Sequence, residues 1–142
     1  KLGKDGGRAL MAFFNEVGSF IKEKSADEAM KPYLTPLSAA LGHLQQASMW
    51  FMQNAMAKPD NAGAGATDYM HMFGLVALGY MWARIAEAAA AKAKSNGAAA
   101  PMKAKLVTAR FFMERMLPET AAHLARIQTG AGSIMELPEE AF

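Results

Sequence analysis

Apolar residues recur every three or four positions along most of the chain, with polar residues between them. This spacing gathers the apolar side chains on one side of an α-helix, because a helix completes a turn in about 3.6 residues. Residues 60–66, which are rich in Gly, Ala and Asn, predict a loop. The pattern as a whole predicts four helices, over about residues 8–24, 33–57, 67–94 and 102–129.

The third predicted helix is apolar in almost every direction, with Met70, Phe73 and Tyr80 spread around its circumference. A helix of this kind is buried on more than one side, so we place it at the centre of the fold. Gly74 and Gly79 lack bulk and let a neighbouring backbone approach. We therefore expect Gly74→Leu to lower the thermal stability by overpacking a buried seam.

The apolar stripe of the fourth predicted helix keeps its phase across Pro118. A proline inside a helix removes a backbone donor and clashes with the preceding turn, at a cost of about 3 kcal/mol. We expect one kinked helix that ends near Thr129, with two separate helices as the alternative. Gly130 then ends the helix, and residues 134–142 are expected to pack against the other helices as an extended tail.

Four helices joined by short or moderate connectors predict an all-α fold, an antiparallel four-helix bundle with an extended C-terminal tail. A chain of 142 residues suits a single domain, so we expect residues 1–142 to form one helical domain. Because the sequence begins at Lys1 without an initiating Met, we expect it to be a fragment of a longer protein.

Composition argues against several classes of function. The formal net charge of +2 supplies no strong field for nucleic acid or for an anionic membrane. The absence of Cys removes disulfides, thiolate metal sites and a cysteine nucleophile, and it agrees with a cytoplasmic location. The uncharged apolar runs fall short of the ~20 residues that span a bilayer, so we expect no transmembrane helix.

The polar residues do not assemble a convincing catalytic or metal site. The three histidines lie far apart in sequence, and the Glu-x-x-His pairs of a di-iron bundle are missing. Glu119 and His123, with Arg115 and Arg126, follow one side of the fourth helix. We interpret them as a solvated or interdomain ion network rather than as acid–base groups.

Large apolar residues exceed what the seam of a small bundle needs. Met and aromatic side chains are enriched where proteins contact one another. Core packing accounts for some of them, and we expect the remainder to contact other domains or subunits. The candidates are Trp50, Phe51, Met52, Tyr69, Met72, Tyr80 and Trp82.

Three stretches carry a family resemblance. Residues 69–84 read YMHMFGLVALGYMWAR, residues 109–123 read ARFFMERMLPETAAH, and residues 124–142 read LARIQTGAGSIMELPEEAF. They resemble the C-terminal extension of bacterial acyl-CoA dehydrogenases, and they are most similar to the 3-methylmercaptopropionyl-CoA dehydrogenase group. The resemblance covers essentially the whole chain.

The resemblance implies a longer FAD-dependent enzyme that removes hydrogens from the α and β carbons of an acyl-CoA and passes electrons to an electron-transfer flavoprotein. In that family the flavin and the catalytic carboxylate belong to preceding domains, so no catalytic, cofactor-binding or metal-binding residue is assigned here. The C-terminal domain is expected to brace the preceding dehydrogenase domains and to help define a homodimer. The alternatives are a free-standing helical module for protein interaction or membrane-surface binding, and a small bundle enzyme or metalloprotein.

Overall fold

The computed structural model describes residues 4–95 and 99–141. This part of the chain is all-α and contains no strand, as the periodicity predicts. None of its helices combines the length and the apolar character needed to cross a membrane. The helices are α1 (Arg8–Lys24), α2 (Lys31–Asn54), α3 (Pro59–Ser95), α4 (Ala99–Phe111), α5 (Glu119–Thr129) and the short α6 (Gly132–Met135). Short 3-10 helices lie at Lys4–Gly7, Glu28–Met30 and Glu139–Ala141, and a π-helical turn lies at Phe112–Met116.

The long helix α3 lies at the centre and contacts α2, α4 and α5. α1 packs against α2 and reaches α3 through Phe13, whose ring stacks on that of Phe73 at a centroid distance of 4.8 Å. One continuous core joins these helices. Its largest fully buried apolar side chains are Val17, Met30, Leu37, Leu44, Met72, Val76, Met113, Leu117 and Ile127.

Contacts at two glycines give the direction of α3 relative to its neighbours. Phe51, near the end of α2, lies beside Gly65, whereas Leu37, near the start of α2, lies beside Gly79. Residue numbers therefore fall along α2 as they rise along α3. Ile127, near the end of α5, also lies beside Gly65 near the start of α3.

The predicted loop at residues 60–66 is wrong, because α3 begins at Pro59. Proline is favoured in the first turn of a helix, where its missing N–H is not needed, and Asp60 there interacts favourably with the helix dipole. The glycine at position 65 serves packing: a Cβ at Gly65 would lie 2.7 Å from Cζ of Phe51. Helix α2 accordingly ends at Asn54 and not at residue 57.

The expectation that Gly74 lies in a buried seam is also wrong. Gly74 is exposed, and no described atom of another element lies within 4 Å of the position that its Cβ would take. Gly79 takes the packing role instead, since a Cβ there would lie 3.1 Å from Cδ1 of Leu117 and 3.3 Å from Cδ1 of Leu37. Five residues turn a helix by about 140°, so the two glycines face different sides of α3.

The chain passes Pro118 through a π-helical turn that separates α4 from α5. The Leu117 amide donates to the Phe112 carbonyl at 3.0 Å, five residues back, and the backbone at Pro118 stays right-handed with φ −59°. The wider turn accommodates the proline ring, which would clash with the carbonyl of the preceding regular turn. The predicted helix over residues 102–129 is therefore two α-helices, the first of which begins at Ala99.

The C-terminal residues do not form the predicted extended tail. They form α6 and a 3-10 turn, and the side chains of Ile134, Met135 and Leu137 are exposed. A polar contact joins the start of this segment to α3 instead: the Ala131 amide donates to Oδ1 of Asn61 at 2.9 Å. Phe142, the last residue of the predicted tail, lies outside the described residues.

Candidate functional site

A polar cluster lies where α3 faces α5. His123, only 3% exposed, places its Nδ1 2.7 Å from Oδ1 of Asp68. Nε of Arg126 donates to the same carboxylate oxygen, also at 2.7 Å. Residues three apart lie on one side of a helix, so α5 presents His123 and Arg126 together to α3. The cluster joins two helices that are far apart in sequence.

The proton on His123 follows from its neighbours. Nη2 of Arg126 lies 2.7 Å from Nδ1 of His123, the same nitrogen that approaches Asp68. An ionised carboxylate can only accept and a guanidinium can only donate, so Nδ1 cannot hydrogen-bond to both. We assign the hydrogen to Nδ1, because Asp68 then accepts from His123 and Arg126 together. Nε2 of His123 is left facing Glu119, 3.8 Å away.

The electrostatics of this cluster favour a charged carboxylate. Burial alone raises the pKa of Asp68, but the hydrogen bonds from His123 and Arg126 and the positive charge of Arg126 outweigh it. The pKa of Asp68 therefore lies below its ordinary value. Such a group holds its neighbours in place and is a poor base near neutral pH.

The structure changes the membership of the predicted ion network. Glu119, His123 and Arg126 do lie together, and Asp68 joins them from α3. The predicted start of the third helix near residue 67 put Asp68 at the beginning of that helix. Its actual position, well inside α3, could be inferred only after Pro59 had been identified as the first residue of that helix.

The other histidines also contact residues that are distant in sequence. Nδ1 of His43 lies 3.0 Å from Oγ1 of Thr120, and the ring of His71 lies 5.8 Å from that of His123. Within residues 4–95 and 99–141, no three His, Cys, Asp or Glu side chains are grouped so that they could hold a metal ion. These contacts connect α2 and α3 to α5.

Four of the seven predicted contact residues lie in the core of this chain. The ring of Phe51 meets that of Tyr69 edge-to-face at 5.2 Å, and the Tyr69 hydroxyl lies 2.7 Å from Oγ of Ser48. The Tyr80 hydroxyl donates to Glu16 at 3.0 Å. Burial against neighbouring helices makes these side chains unavailable as an outer surface. The four are Phe51, Tyr69, Met72 and Tyr80.

The other three predicted contact residues keep accessible surface. Met52 is 62% exposed, and Trp50 and Trp82 are half-buried. Met49, three residues before Met52 on α2, is exposed as well, and so is Met56 in the turn that follows α2. We call Met49, Met52 and Met56 the methionine face. Its spacing of three and four residues is visible in the sequence and could have identified it.

A second exposed apolar surface follows α3. Gly63, Thr67, Met70, Gly74, Leu78 and Met81 all face outward, and we call these six residues the Gly74 face. None of them carries a charge. Among the described residues, the methionine face and the Gly74 face are two of the exposed apolar surfaces that the geometry offers for contact with another domain or chain.

Comparison with models of protein families gives a match. The family model described as "Acetyl-CoA dehydrogenase C-terminal like" matches residues 13–138. None of the curated proteins compared with the chain matches it. The matched range includes α2 to α6 and most of α1.

Proposed function

The chain belongs to the acetyl-CoA dehydrogenase C-terminal-like family, and from this premise we propose that it is the C-terminal structural domain of an FAD-dependent acyl-CoA dehydrogenase. The observation that carries the proposal is the extent of the family match, residues 13–138. The parent enzyme would convert an acyl-CoA thioester to its α,β-unsaturated form and pass the electrons to an electron-transfer flavoprotein. We place it in the 3-methylmercaptopropionyl-CoA dehydrogenase group and in the cytoplasm.

In this proposal the domain itself is noncatalytic. Dehydrogenation needs a carboxylate base at the α carbon and a flavin that accepts hydride from the β carbon. The partly buried carboxylate–imidazole pair of this chain, Asp68 and His123, is already joined to Arg126, and the lowered pKa of Asp68 makes it a poor base. The base and the FAD site therefore belong to the preceding dehydrogenase domains, and the isolated chain binds no FAD.

The methionine face, with Trp50 beside it, is the surface that we assign to contact with the preceding dehydrogenase domains. Met52 and Met56 are 62% and 89% exposed, although both are apolar. Met side chains adapt to irregular partners and are enriched at contact surfaces. The half-buried Trp82 is assigned to the same kind of contact on α3.

The finer description of the fold belongs to this proposal as well. We describe residues 1–142 as a single domain and its helices as an antiparallel four-helix bundle, with the α4–α5 segment as the fourth member. The opposite directions of α2 and α3 at Gly65 and Gly79 support this description. The stacking of Phe13 on Phe73, which joins α1 to α3, also supports it.

The first test compares the 142-residue chain with a longer polypeptide that also contains the dehydrogenase domains. Flavin absorbance and the oxidation of short acyl-CoAs with an artificial electron acceptor are measured for both. We expect flavin and activity in the longer polypeptide only. Bound flavin or turnover in the 142-residue chain would overturn the proposed division of roles.

A matched pair of variants tests the contact surface. Met52→Glu and Gln53→Glu place the same charge at adjacent exposed positions of α2, but only Met52 belongs to the methionine face. In the longer polypeptide we expect Met52→Glu to lower the melting temperature and to speed proteolytic release of the domain. Gln53→Glu should do neither. Equal behaviour of the two variants would remove the methionine face from the interdomain contact.

A free-standing helical module for protein interaction or membrane-surface binding is the alternative. It would use the same exposed methionines, and its signature would be binding to vesicles that contain anionic lipid. Cosedimentation of the 142-residue chain with such vesicles, abolished by Met52→Glu but not by Gln53→Glu, would favour this alternative over an interdomain role.

A further inference from the structure

A small cavity lies between the first turn of α2 and α4. Its volume is about 230 Å³, and it is lined by Tyr33 of α2 and by Lys103, Leu106, Val107 and Arg110 of α4. Tyr33 is buried, and its hydroxyl donates to the Leu106 carbonyl at 3.3 Å, so the two helices hold the floor of the cavity in place. Pockets for drug-sized molecules measure about 300–1,000 Å³, so this cavity suits a compact group instead.

Two cationic side chains of α4 flank this cavity. Lys103 and Arg110 are seven residues apart, which is close to two full turns, so both lie on the same side of the helix and about 10.5 Å apart along its axis. Long side chains at this spacing can approach one group from both ends. Val107, between them, is 63% exposed. No Asp or Glu is among the five described residues that line the cavity, so its charge is positive.

Both cations keep hydrogen-bond donors that the rest of the chain does not use. Lys103 forms no ion pair within the part of the chain that the structure describes. Nε of Arg110 lies 3.1 Å from Oε1 of Glu114, but both side chains are more than half exposed, and such an ion pair contributes only about 0–1 kcal/mol. A guanidinium has five N–H donors, so the two Nη groups of Arg110 remain available to a ligand.

The positive charge of Arg110 reaches the floor of the cavity. Burial raises the pKa of the Tyr33 hydroxyl, and the charge of Arg110 opposes that rise. The guanidinium therefore lies close enough to stabilise a negative charge placed beside Tyr33. Tyr33 also belongs to the first turn of α2, where the helix dipole favours an anion. The dipole adds to the attraction that Lys103 and Arg110 provide.

We infer that this cavity binds a phosphate group, either as the free ion or as the end of a larger molecule, through Lys103 and Arg110. A phosphate monoester carries a charge of about −1.5 to −2 at pH 7, so two cations neutralise it, whereas a carboxylate carries a single charge. The fork of a guanidinium also matches two phosphate oxygens, and an ammonium group adds a point charge. The inference does not rest on the dehydrogenase assignment, because it concerns only residues of this chain.

Titration of the 142-residue chain tests the inference. Inorganic phosphate, adenosine monophosphate and adenosine are added separately at constant ionic strength, so that general screening of charge does not change, and the backbone amide signals are followed by NMR. We expect saturable shifts at Tyr33 and at residues 103–110 with both phosphate compounds and none with adenosine. Tighter binding of adenosine monophosphate than of phosphate would identify the ligand as a larger molecule, and equal binding would identify it as the free ion.

A matched set of variants tests which cations bind the phosphate. Lys103→Gln and Arg110→Gln each remove one of the two charges, and we expect each to raise the Kd for phosphate roughly fivefold. Lys105→Gln is the control, because it makes the same change at an exposed position of α4. Two residues turn a helix by about 200°, so Lys105 lies on the other side of α4 from Lys103. Its Kd should change less than twofold.

Several results would overturn the inference. Shifts that rise with phosphate without saturating, or equal weakening by Lys103→Gln and Lys105→Gln, would show general attraction to a basic surface. Adenosine that binds as tightly as adenosine monophosphate would show that the phosphate is not the group recognised. Binding that neither Lys103→Gln nor Arg110→Gln weakens would place the phosphate elsewhere. Circular dichroism of each variant, expected to match the unmodified chain because these side chains are exposed, verifies that the comparison is between folded proteins.

Discussion

Asp68 and His123 join α3 to α5 through a hydrogen bond of 2.7 Å. In the tautomer assigned above, the imidazole Nδ1–H donates to the carboxylate. The carboxylate also accepts from Nε of Arg126 at 2.7 Å. His123 is almost fully buried, so its ring depends on Asp68 for the acceptor that water would otherwise supply. One carboxylate thus compensates for the burial of a polar ring between two helices.

Asp68→Ala should destabilise the chain. The substitution leaves the Nδ1–H of the buried His123 without its acceptor, and a loss of this kind costs about 1–3 kcal/mol. Asp68→Asn keeps one oxygen acceptor, so we expect it to cost less than Asp68→Ala. Urea unfolding of the two variants beside the unmodified chain measures the difference. A free energy of unfolding within about 0.5 kcal/mol of the unmodified chain for Asp68→Ala would contradict this role.

The same carboxylate gives the stability a defined pH dependence. The pKa of Asp68 is lowered in the folded chain, so the unfolded chain binds a proton there more readily. The contribution of Asp68 is fully present above the ordinary pKa of about 3.9 and is lost as the pH falls through the lower folded value. Urea unfolding at pH 7, 5 and 3 should show the unmodified chain losing its advantage over Asp68→Asn only in the most acidic buffer. An advantage that already declines between pH 7 and pH 5 would point to a different group.

Two glycines in neighbouring helices should respond in opposite directions to the same substitution. Gly65→Ala forces a Cβ to within 2.7 Å of the Phe51 ring, and overpacking of this kind costs about 1–3 kcal/mol. Gly42 lies inside α2, with no described atom of another element within 4 Å of its Cβ position. Gly42→Ala should therefore stabilise the chain by about 0.5–1 kcal/mol through helix propensity. Thermal unfolding at one protein concentration should show a lower melting temperature for Gly65→Ala and a higher one for Gly42→Ala. A higher melting temperature for Gly65→Ala would mean that the Phe51 ring moves aside freely.

Helical periodicity was sufficient to predict the all-α class, because apolar stripes determine which residues can be buried together. It failed at residues 60–66, where glycine signals close packing against Phe51 instead of a loop. The sequence does not distinguish a glycine in a loop from a glycine at a close helix contact, because the difference depends on which residues pack against it in the fold. The same ambiguity placed Gly74 in a seam, although the face of α3 that contains it is open.

The candidate site was harder to predict, because its members come from separate helices. The spacing of Glu119, His123 and Arg126 on one side of α5 was visible in the sequence. Asp68 could not be added to them without knowing how α3 packs on α5. Among the predicted contact residues, composition could not separate the buried Tyr69 from the exposed Met52, because both are large and lie on helices with several apolar sides.

The buried pair Ser48 and Tyr69 gives a prediction in which a second substitution should restore stability. Oγ of Ser48 donates to the Leu44 carbonyl at 2.8 Å, so its single hydrogen is used and the Tyr69 hydroxyl must donate to Ser48 at 2.7 Å. Tyr69→Phe leaves Ser48 satisfied and should cost about 0.5–1.5 kcal/mol. Ser48→Ala leaves the Tyr69 hydroxyl buried without its acceptor and should cost about 1–3 kcal/mol.

The double variant then removes the unsatisfied hydroxyl and should be more stable than Ser48→Ala alone. A double-mutant cycle by urea unfolding measures all four free energies. A double variant less stable than Ser48→Ala would mean that the Tyr69 hydroxyl finds another acceptor when Ser48 is removed. In that case the hydrogen-bond direction assigned here would lose its support.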